Sequence, residues 1–476
     1  MVVGELPDQV DFLVVGGGPG GYVAALVAAQ LGRKVVVVDV LGEAGLGGVC
    51  VNVGCIPSKA LIELAHENYE RASWAVRGLP GSHSQDVNLA DFQVWKEQVT
   101  TGLNGGIQQL FRTAGIEVRQ GFFRFTRKDQ GAVDYGDERP PMHIKFKSCV
   151  VATGSRPTHI PTLKHDGVRI VDSTDVLSLR EVPKRVAVVG GGYIGIELGT
   201  ALAKVGSHVT IVEALPRILA AMPSHIVSPV AKRLTEIGVT VLTETVVTHD
   251  DGKQLHIKKG DDVSALDVDL VVVAVGRTPN THDLGLEVLG VQPNTRGLLE
   301  VGPDLLIAPH IAAIGDIVPG PALAHKASAE AHVAAEVLCG HTEKFAPMAI
   351  PAVVFSDPEI ATTGMTVEDA KSAGLEAAAA MFPMAASGRA RTLDESAGMV
   401  QIVHTPDGVI LGAQAVGPHV SELIGELTLA IEMGANVTDL ASTIHPHPTV
   451  SETWVEAARV ATGMPIHVSP KRARKA

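Results

Sequence analysis

The chain is short of cysteine, with 4 in 476 residues, and of aromatic side chains, which make up 4% of it. So few cysteines exclude a small scaffold stapled by disulfides, and the length makes such staples unnecessary. An excess of positive charge is also missing: the formal net charge is -13 and the sequence pI is near 5.8. That excludes the basic footprint a nucleic-acid partner requires. The one basic run, Lys471 to Lys475, reads as a solubilising terminus. No apolar run approaches the ~20 residues of a membrane helix. The start, MVVGELPDQVDF, lacks the basic flank and apolar core of a secretory signal. The expectation is a cytoplasmic protein with neither nucleic acid nor membrane as a partner.

What is present points to several packed cores. Hydrophobic residues make up 46% of the chain, and its length suits about three domains of ordinary size. Two of the cysteines, Cys50 and Cys55, lie close together in GGVCVNVGCIPSKAL (47–61). In a reducing compartment such a pair is catalytic or metal-binding rather than structural. A zinc site needs two further ligands at suitable spacing. Cys149 and Cys339 are isolated in strand-like and helix-like surroundings and read as apolar fillers, so no metal is expected.

The strongest structural signal is a repeat. DFLVVGGGPGGYVAALVAAQLGRKVVVVD begins at Asp11 and RVAVVGGGYIGIELGTALAKVGSHVTIVE at Arg185. One shift of 174 residues places Gly16, Gly18 and Gly21 on Gly190, Gly192 and Gly195, Gly32 on Gly206, and Asp39 on Glu213. Each copy is a β-branched run, a GxGxxG turn, an Ala- and Leu-rich helix and a second run ending in an acid. That is a dinucleotide-binding βαβ unit, present twice. The glycines let backbone approach a pyrophosphate that the helix N-terminus favours, and the acid can accept from an adenosine ribose. Glu213 would repel the 2'-phosphate of NADP, and no arginine follows it at once in EALPR, so the second unit should take NAD. The companion dinucleotide is then FAD, because a flavin accepts both hydride from a nicotinamide and the stepwise redox chemistry of sulfur.

VVATGSRP (150–157) and VVAVGRTPN (272–280) each close a module with a buried strand and a tight turn, at Gly154 and Gly276. A polar excursion around 126–141 and a hairpin around 249–264, turning at HDDG, read as surface elaborations. Beyond about residue 348 strands and helices alternate without glycine fingerprints, as in a separate α+β module.

With these motifs, together with AIGDI (313–317), LAHKA (323–327) and HPHPTVSE (445–452), the chain resembles the dihydrolipoamide dehydrogenases of the pyridine nucleotide-disulfide oxidoreductase family. The resemblance runs in order from about residue 11 to about residue 465. It implies an α/β fold with two Rossmann-like dinucleotide-binding domains, for FAD and NAD, plus a C-terminal α+β dimerisation domain, working as a homodimer. The implied boundaries are an FAD-binding domain at 1–154, an NAD-binding domain at 155–277, a central domain at 278–347 that completes the FAD site, and an interface domain at 348–476. The implied partners are the homodimer and lipoyl-bearing proteins of a 2-oxo acid dehydrogenase or glycine cleavage complex.

By the same resemblance Cys50 is the interchange thiol and Cys55 the thiolate beside the flavin, the two forming a redox-active disulfide. The base would be His447, supported by Glu452, and supplied by the partner subunit. Residue types agree: thiol–disulfide exchange needs an attacking sulfur, a released sulfur and a base working near neutral pH. His447 competes with His445, and sequence position alone does not choose between them. The X-Pro bonds at Pro446 and Pro448 are candidates for the cis form. Lys59 and Glu197 resemble an ion pair near the flavin, with Glu197 also grouped among the residues of the NAD side. Asp316, Ala324, Gly121 and Gly154 resemble further FAD contacts, and Gly276 an NAD contact. Tyr193 resembles a ring that covers the nicotinamide pocket in some relatives, a role left open.

The departures are small. Asp39 stands where the family more often has glutamate, and no lipoyl-carrier domain precedes the first fingerprint. A glutathione-type reductase would carry basic residues around Glu213, a mercuric reductase would add a cysteine pair near its C-terminus, and a transhydrogenase of this fold would lack Cys50. A flavin-binding scaffold without catalysis would have no use for the cysteine pair, base and acid.

Overall fold

The β-branched runs of each repeat become parallel strands because they are apolar on both faces and each feeds a crossover helix. A computed structural model describes residues 8–71, 74, 77–79 and 86–469, so the basic run at 471–475 lies outside the described residues. In the first unit Asp8–Val15 pairs in parallel with Val35–Asp39 on one side and Met142–Val151 on the other. Glu117–Gln120 extends one edge and Ile311–Ala313 the other, within an eight-stranded sheet. In the second unit five parallel strands run in the order Thr240–Leu242, His208–Val212, Arg185–Val189, Leu270–Val273, Ile170–Asp172. The fingerprint helices Pro19–Gln30 and Tyr193–Lys204 start at the carboxyl ends of the central strands, where open α/β sheets bind ligands.

The last module is a five-stranded antiparallel sheet in the order Ala352–Val354, Glu359–Gly364, Ile410–Gly417, Met399–His404, Ala378–Pro383. Helices Val420–Glu432 and Glu452–Ala461 close its core, in which Trp454 and Leu427 are fully buried. The chain is thus an α/β protein ending in an α+β domain.

Three expectations need correction. The 126–141 stretch is not merely a surface elaboration. Phe122–Arg127, Gln130–Asp134 and Met142–Val151 form an antiparallel meander, and strand alternation buries Phe123, Phe125 and Val133, with the two rings edge-to-face at 4.9 Å. The hairpin near 249–264 gains a strand, giving Val246–Asp250, Gln254–Lys259 and Asp262–Asp267. Among the described residues one helical stretch, Gly48–Glu70, does reach spanning length, at 23 residues and mean hydropathy 1.3. It is broken at Gly54, and in its second part Leu61 and Ala65 pack into the core of the second unit.

Candidate active site

The two glycine turns are built alike. Gly16 has φ +100 and Gly190 φ +111, and a Cβ on either would lie 2.4 or 2.5 Å from the carbonyl oxygen of Ala152 or Ala274. No other residue fits there. Gly18 and Gly192 differ in kind. A Cβ at Gly192 would meet nothing within 4 Å, and at Gly18 only the Gly48 Cα at 3.9 Å. These positions are glycine for the sake of the space beyond them, above a helix N-terminus, which is the cradle a pyrophosphate fills.

The acids are held by equivalent donors. Asp39 accepts from Gly17 N at 2.8 Å and Leu41 N at 2.9 Å, while Glu213 accepts from Gly191 N at 2.5 Å and Leu215 N at 2.6 Å. The same 174-residue offset relates all four donors, so the shorter Asp39 keeps the clasp. Gly121 N donates to the Asp39 carbonyl at 2.9 Å, and a Cβ there would press on Val133 Cγ1 at 2.5 Å. Its glycine is therefore explained by packing of the meander.

Gly154 and Gly276 end the strands opposite the two turns, with open space at both. The residues after them, missed in the sequence, are joined: Arg277 donates to Ser155 Oγ at 2.7 Å and to Ser155 O at 2.6 Å, and Ser155 Oγ donates to Asp316. Asp316 sits on the short turn Gly315–Ile317, beneath the start of Ala324–Leu338. That turn is clamped by a second missed pair. Lys326 and Glu330 lie 2.7 Å apart with side chains 2% exposed each; Glu330 accepts from Gly315 N at 2.7 Å and Lys326 donates to Gly315 O at 3.3 Å. Burial pushes the Glu330 carboxyl up.

The cysteine loop is fastened onto the first cradle. Gly47 N donates to Gly17 O at 2.9 Å, and Gly48, at φ +60, brings its Cα so close that a Cβ would lie 2.6 Å from the Gly18 Cα. Asn104 reaches over from the helix Leu89–Ala114 and donates to Leu46 O at 2.7 Å. Cys50 lies on the short helix Gly48–Val53 and Cys55 begins the next, Cys55–Glu70. Both are free thiols here. The hydrogen bond between them acts first on Cys55: with Lys59 it outweighs burial and brings that thiol down to about 7, whereas Cys50 is pushed well up. Cys149 is buried, and burial raises its thiol; Cys339 is only half-buried, at a helix C-terminus, where its carbonyl accepts from Arg33 at 2.8 Å.

Lys59 Nζ sits 2.9 Å from Glu197 and 4.4 Å over the Phe355 ring. Glu197 is buried and its other oxygen accepts from Phe355 N at 2.9 Å, so this acid belongs with Cys55 and Lys59 as much as with the second unit. Tyr193 opens the second fingerprint helix; burial raises its phenol while Arg277 opposes, and Asp316, Glu197 and Cys55 are within electrostatic reach. It stands between the second cradle and the cysteines.

The structure separates the two histidines. His445 spends both nitrogens, on Thr443 O at 3.2 Å and Glu426 at 2.8 Å, and its side chain is 8% exposed. Among the described residues His447 bonds only Glu452, Nδ1 to Oε1 at 2.9 Å, and its side chain is 79% exposed. Burial would raise Glu452, but the Thr449 amide and His447 outweigh it and hold the carboxyl low. The His447–Pro448 bond is cis. Among the described residues no hydrogen bond or ion pair joins His447 to Cys50 or Cys55.

Comparison with known proteins agrees with this geometry. Residues 10–331 match the pyridine nucleotide-disulphide oxidoreductase model, and residues 350–458 match the dimerisation domain of the same enzymes. The chain is 46% identical to a dihydrolipoyl dehydrogenase of Geobacillus stearothermophilus, over 99% of its length and 100% of the relative's. It is 45% identical to one of Staphylococcus aureus, over 98% and 100%. Among solved structures, LpdA of Mycobacterium tuberculosis superposes with a TM-score of 0.84 at 26% identity, covering 94% of this chain and 99% of that one. The HOCl-induced flavoprotein disulfide reductase RclA of Escherichia coli gives 0.81 at 25% identity, covering 93% and 98%. With its two cradles, its cysteine pair and its histidine–glutamate dyad, the chain belongs to the pyridine nucleotide-disulphide oxidoreductase family.

Proposed function

We propose that the protein is a dihydrolipoyl dehydrogenase, which reoxidises dihydrolipoamide on lipoyl carrier proteins to lipoamide and reduces NAD. The observation that carries this reading is the placement of the cysteine pair: Cys50 and Cys55 sit on a loop fastened to the first cradle, with Lys59 and buried Glu197 paired one helical turn beyond. The curated relatives of near-identical length support the substrate.

The first cradle, with Asp39 and the Ser155–Asp316 contact, suits FAD, and the second, with Glu213, suits NAD. Bound FAD supplies the two-electron link between a dithiol and a nicotinamide. The residues of the chain do the sulfur chemistry. His447 removes a proton from a substrate thiol, and Glu452 supports the resulting imidazolium. The substrate thiolate attacks Cys50 of the Cys50–Cys55 disulfide, forming a mixed disulfide with Cys50, and Cys55 leaves as a thiolate that Lys59 stabilises. The second substrate thiol then displaces Cys50, which takes the first proton from His447 while His447 accepts the proton of that second thiol. Two electrons and two protons balance: lipoamide is closed, Cys50 is a thiol, Cys55 a thiolate and His447 an imidazolium.

Since His447 faces solvent, the base at each cysteine pair comes from His447 of the partner subunit. Exposed Leu429, Met433 and Ile444 on the same module give a homodimer an apolar surface to bury. The division into domains at 1–154, 155–277, 278–347 and 348–476, a cytoplasmic location and service to a multienzyme complex belong to the same reading. Replacing Cys50 with serine should abolish dihydrolipoamide-dependent NADH formation while the yellow flavin stays bound. Normal turnover in that variant would sink the assignment. A flavin that ignores dihydrolipoamide yet is reduced by NADH would move the substrate to another disulfide.

A further inference from the structure

Away from the cysteines, the chain crossing from the first unit to the second carries its own cluster of ligating side chains. His159 and His165 lie between strands Ser155–Pro157 and Ile170–Asp172, and their rings stack at 4.8 Å with planes 12° apart. Asp172 ends the second of those strands, and its Oδ2 lies 3.6 Å from His159 Nε2. Its other oxygen is committed to capping, accepting from Thr174 N at 2.7 Å and Asp175 N at 3.3 Å. His165 Nε2 is 2.6 Å from Asp175 Oδ2, which leaves its second ring nitrogen uncommitted among the described hydrogen bonds. One donor atom each from His159, His165 and Asp172 lie within 4.8 Å of one another.

Two imidazoles and one carboxylate are the donor set of zinc and divalent copper, whereas magnesium and calcium demand oxygen alone. Bonds of about 2.0–2.1 Å in a tetrahedron put donors roughly 3.3 Å apart, so the cluster has to contract. His159, on the crossing segment with its side chain 54% exposed, is the arm free to close. The Asp175–His165 contact is the outer carboxylate that metal-binding histidines use to fix ring orientation.

We propose that His159, His165 and Asp172 form a site for a divalent transition cation of the zinc or copper class, with Asp175 orienting His165 from behind. The site is separate from the redox centre and independent of the proposed reaction. Its neighbour Thr158 donates its backbone N–H to Gly276 O at 3.0 Å and contacts Thr278 Oγ1 at 2.8 Å. A bound cation would therefore tie the crossing segment to the edge of the NAD-side sheet, beside the turn at Gly276.

The test uses the full-length holoprotein with Cys50 and Cys55 both replaced by serine, so that thiols cannot take up metal. Zinc chloride is titrated by calorimetry, and copper(II) chloride is followed by electron paramagnetic resonance. The expected result is one zinc per chain and a copper signal split by imidazole nitrogen. His159→Ala/His165→Ala should remove both, Asp175→Asn should weaken zinc binding by about tenfold, and His447→Gln should change neither. His159→Gln, at an exposed position, should lose affinity with an unchanged unfolding temperature, which separates ligand loss from misfolding. Zinc binding that survives His159→Ala/His165→Ala, or no binding in the protein lacking Cys50 and Cys55, overturns the proposal.

Discussion

The two dinucleotide cradles are copies in sequence and opposites in access. Their turns and acid clasps agree donor for donor, but Gly18 lies under Gly48 of the cysteine loop while Gly192 faces open space. The residue after each cradle glycine differs too, Pro19 in one and Tyr193 in the other. Proline preorganises the first helix turn and leaves nothing to move. Tyrosine puts a large, 42% exposed residue at the same point. The same fingerprint thus appears in two settings, and the difference lies in what is laid over the turn.

Breaking that cover should have the largest effect. Gly48→Val forces a side chain into the Gly18 backbone from a left-handed conformation, so the expected outcome is loss of flavin and of cysteine-dependent turnover, by about a hundredfold or more, read by absorbance and by NADH formation. The matching change on the open side, Gly192→Ala, has room within the protein. It should leave the unfolding temperature and bound flavin intact and raise the KM for NAD instead. Equal flavin loss in both variants would erase the distinction.

Next in size is the buried clamp on the first unit. Lys326→Met takes the cation away from the Glu330 carboxyl, which burial already pushes up and which keeps only the Gly315 amide, at 2% exposure, a change worth about 3–5 kcal/mol. Chemical denaturation should show it, and Lys326→Met/Glu330→Gln should recover part of the loss. No recovery would mean that packing of the lysine stem, rather than its charge, holds the Gly315 turn.

The smallest effects concern the meeting point of the two units. Cys55 is lowered to about 7, so alkylation of the reduced enzyme should rise as pH passes through that value. Lys59 lowers this thiol and Glu197 raises it, so Lys59→Met should move the midpoint up and Glu197→Gln should move it down. Midpoints that move together would show that the pair acts only by holding shape.

The fingerprints were legible because they obey a strict offset, and that offset extends even to the unremarked donors Leu41 and Leu215. The cysteine pair, His447 and Glu452 were legible as motif members. Elsewhere the local pattern hid the outcome. Val133 lies in a stretch that reads as polar, and only pairing with Phe122–Arg127 and Met142–Val151 reveals its buried face. Strand Asp262–Asp267 carries almost no apolar alternation and forms by backbone pairing to its neighbour. Lys326 and Glu330 look like an ordinary surface i,i+4 pair, since burial is a tertiary property. The choice between His445 and His447 needed to know which ring was already spent.

The outward-facing His447 makes the count of working sites a matter of pairing statistics. If each site takes cysteines from one subunit and histidine from the other, a Cys50→Ser chain and a His447→Gln chain are each inert alone. Refolded together, a mixed dimer holds one site with both defects and one with neither, so random assortment should restore about a quarter of normal activity. Two dead proteins would make a living one, and a site lying wholly within one chain would restore nothing.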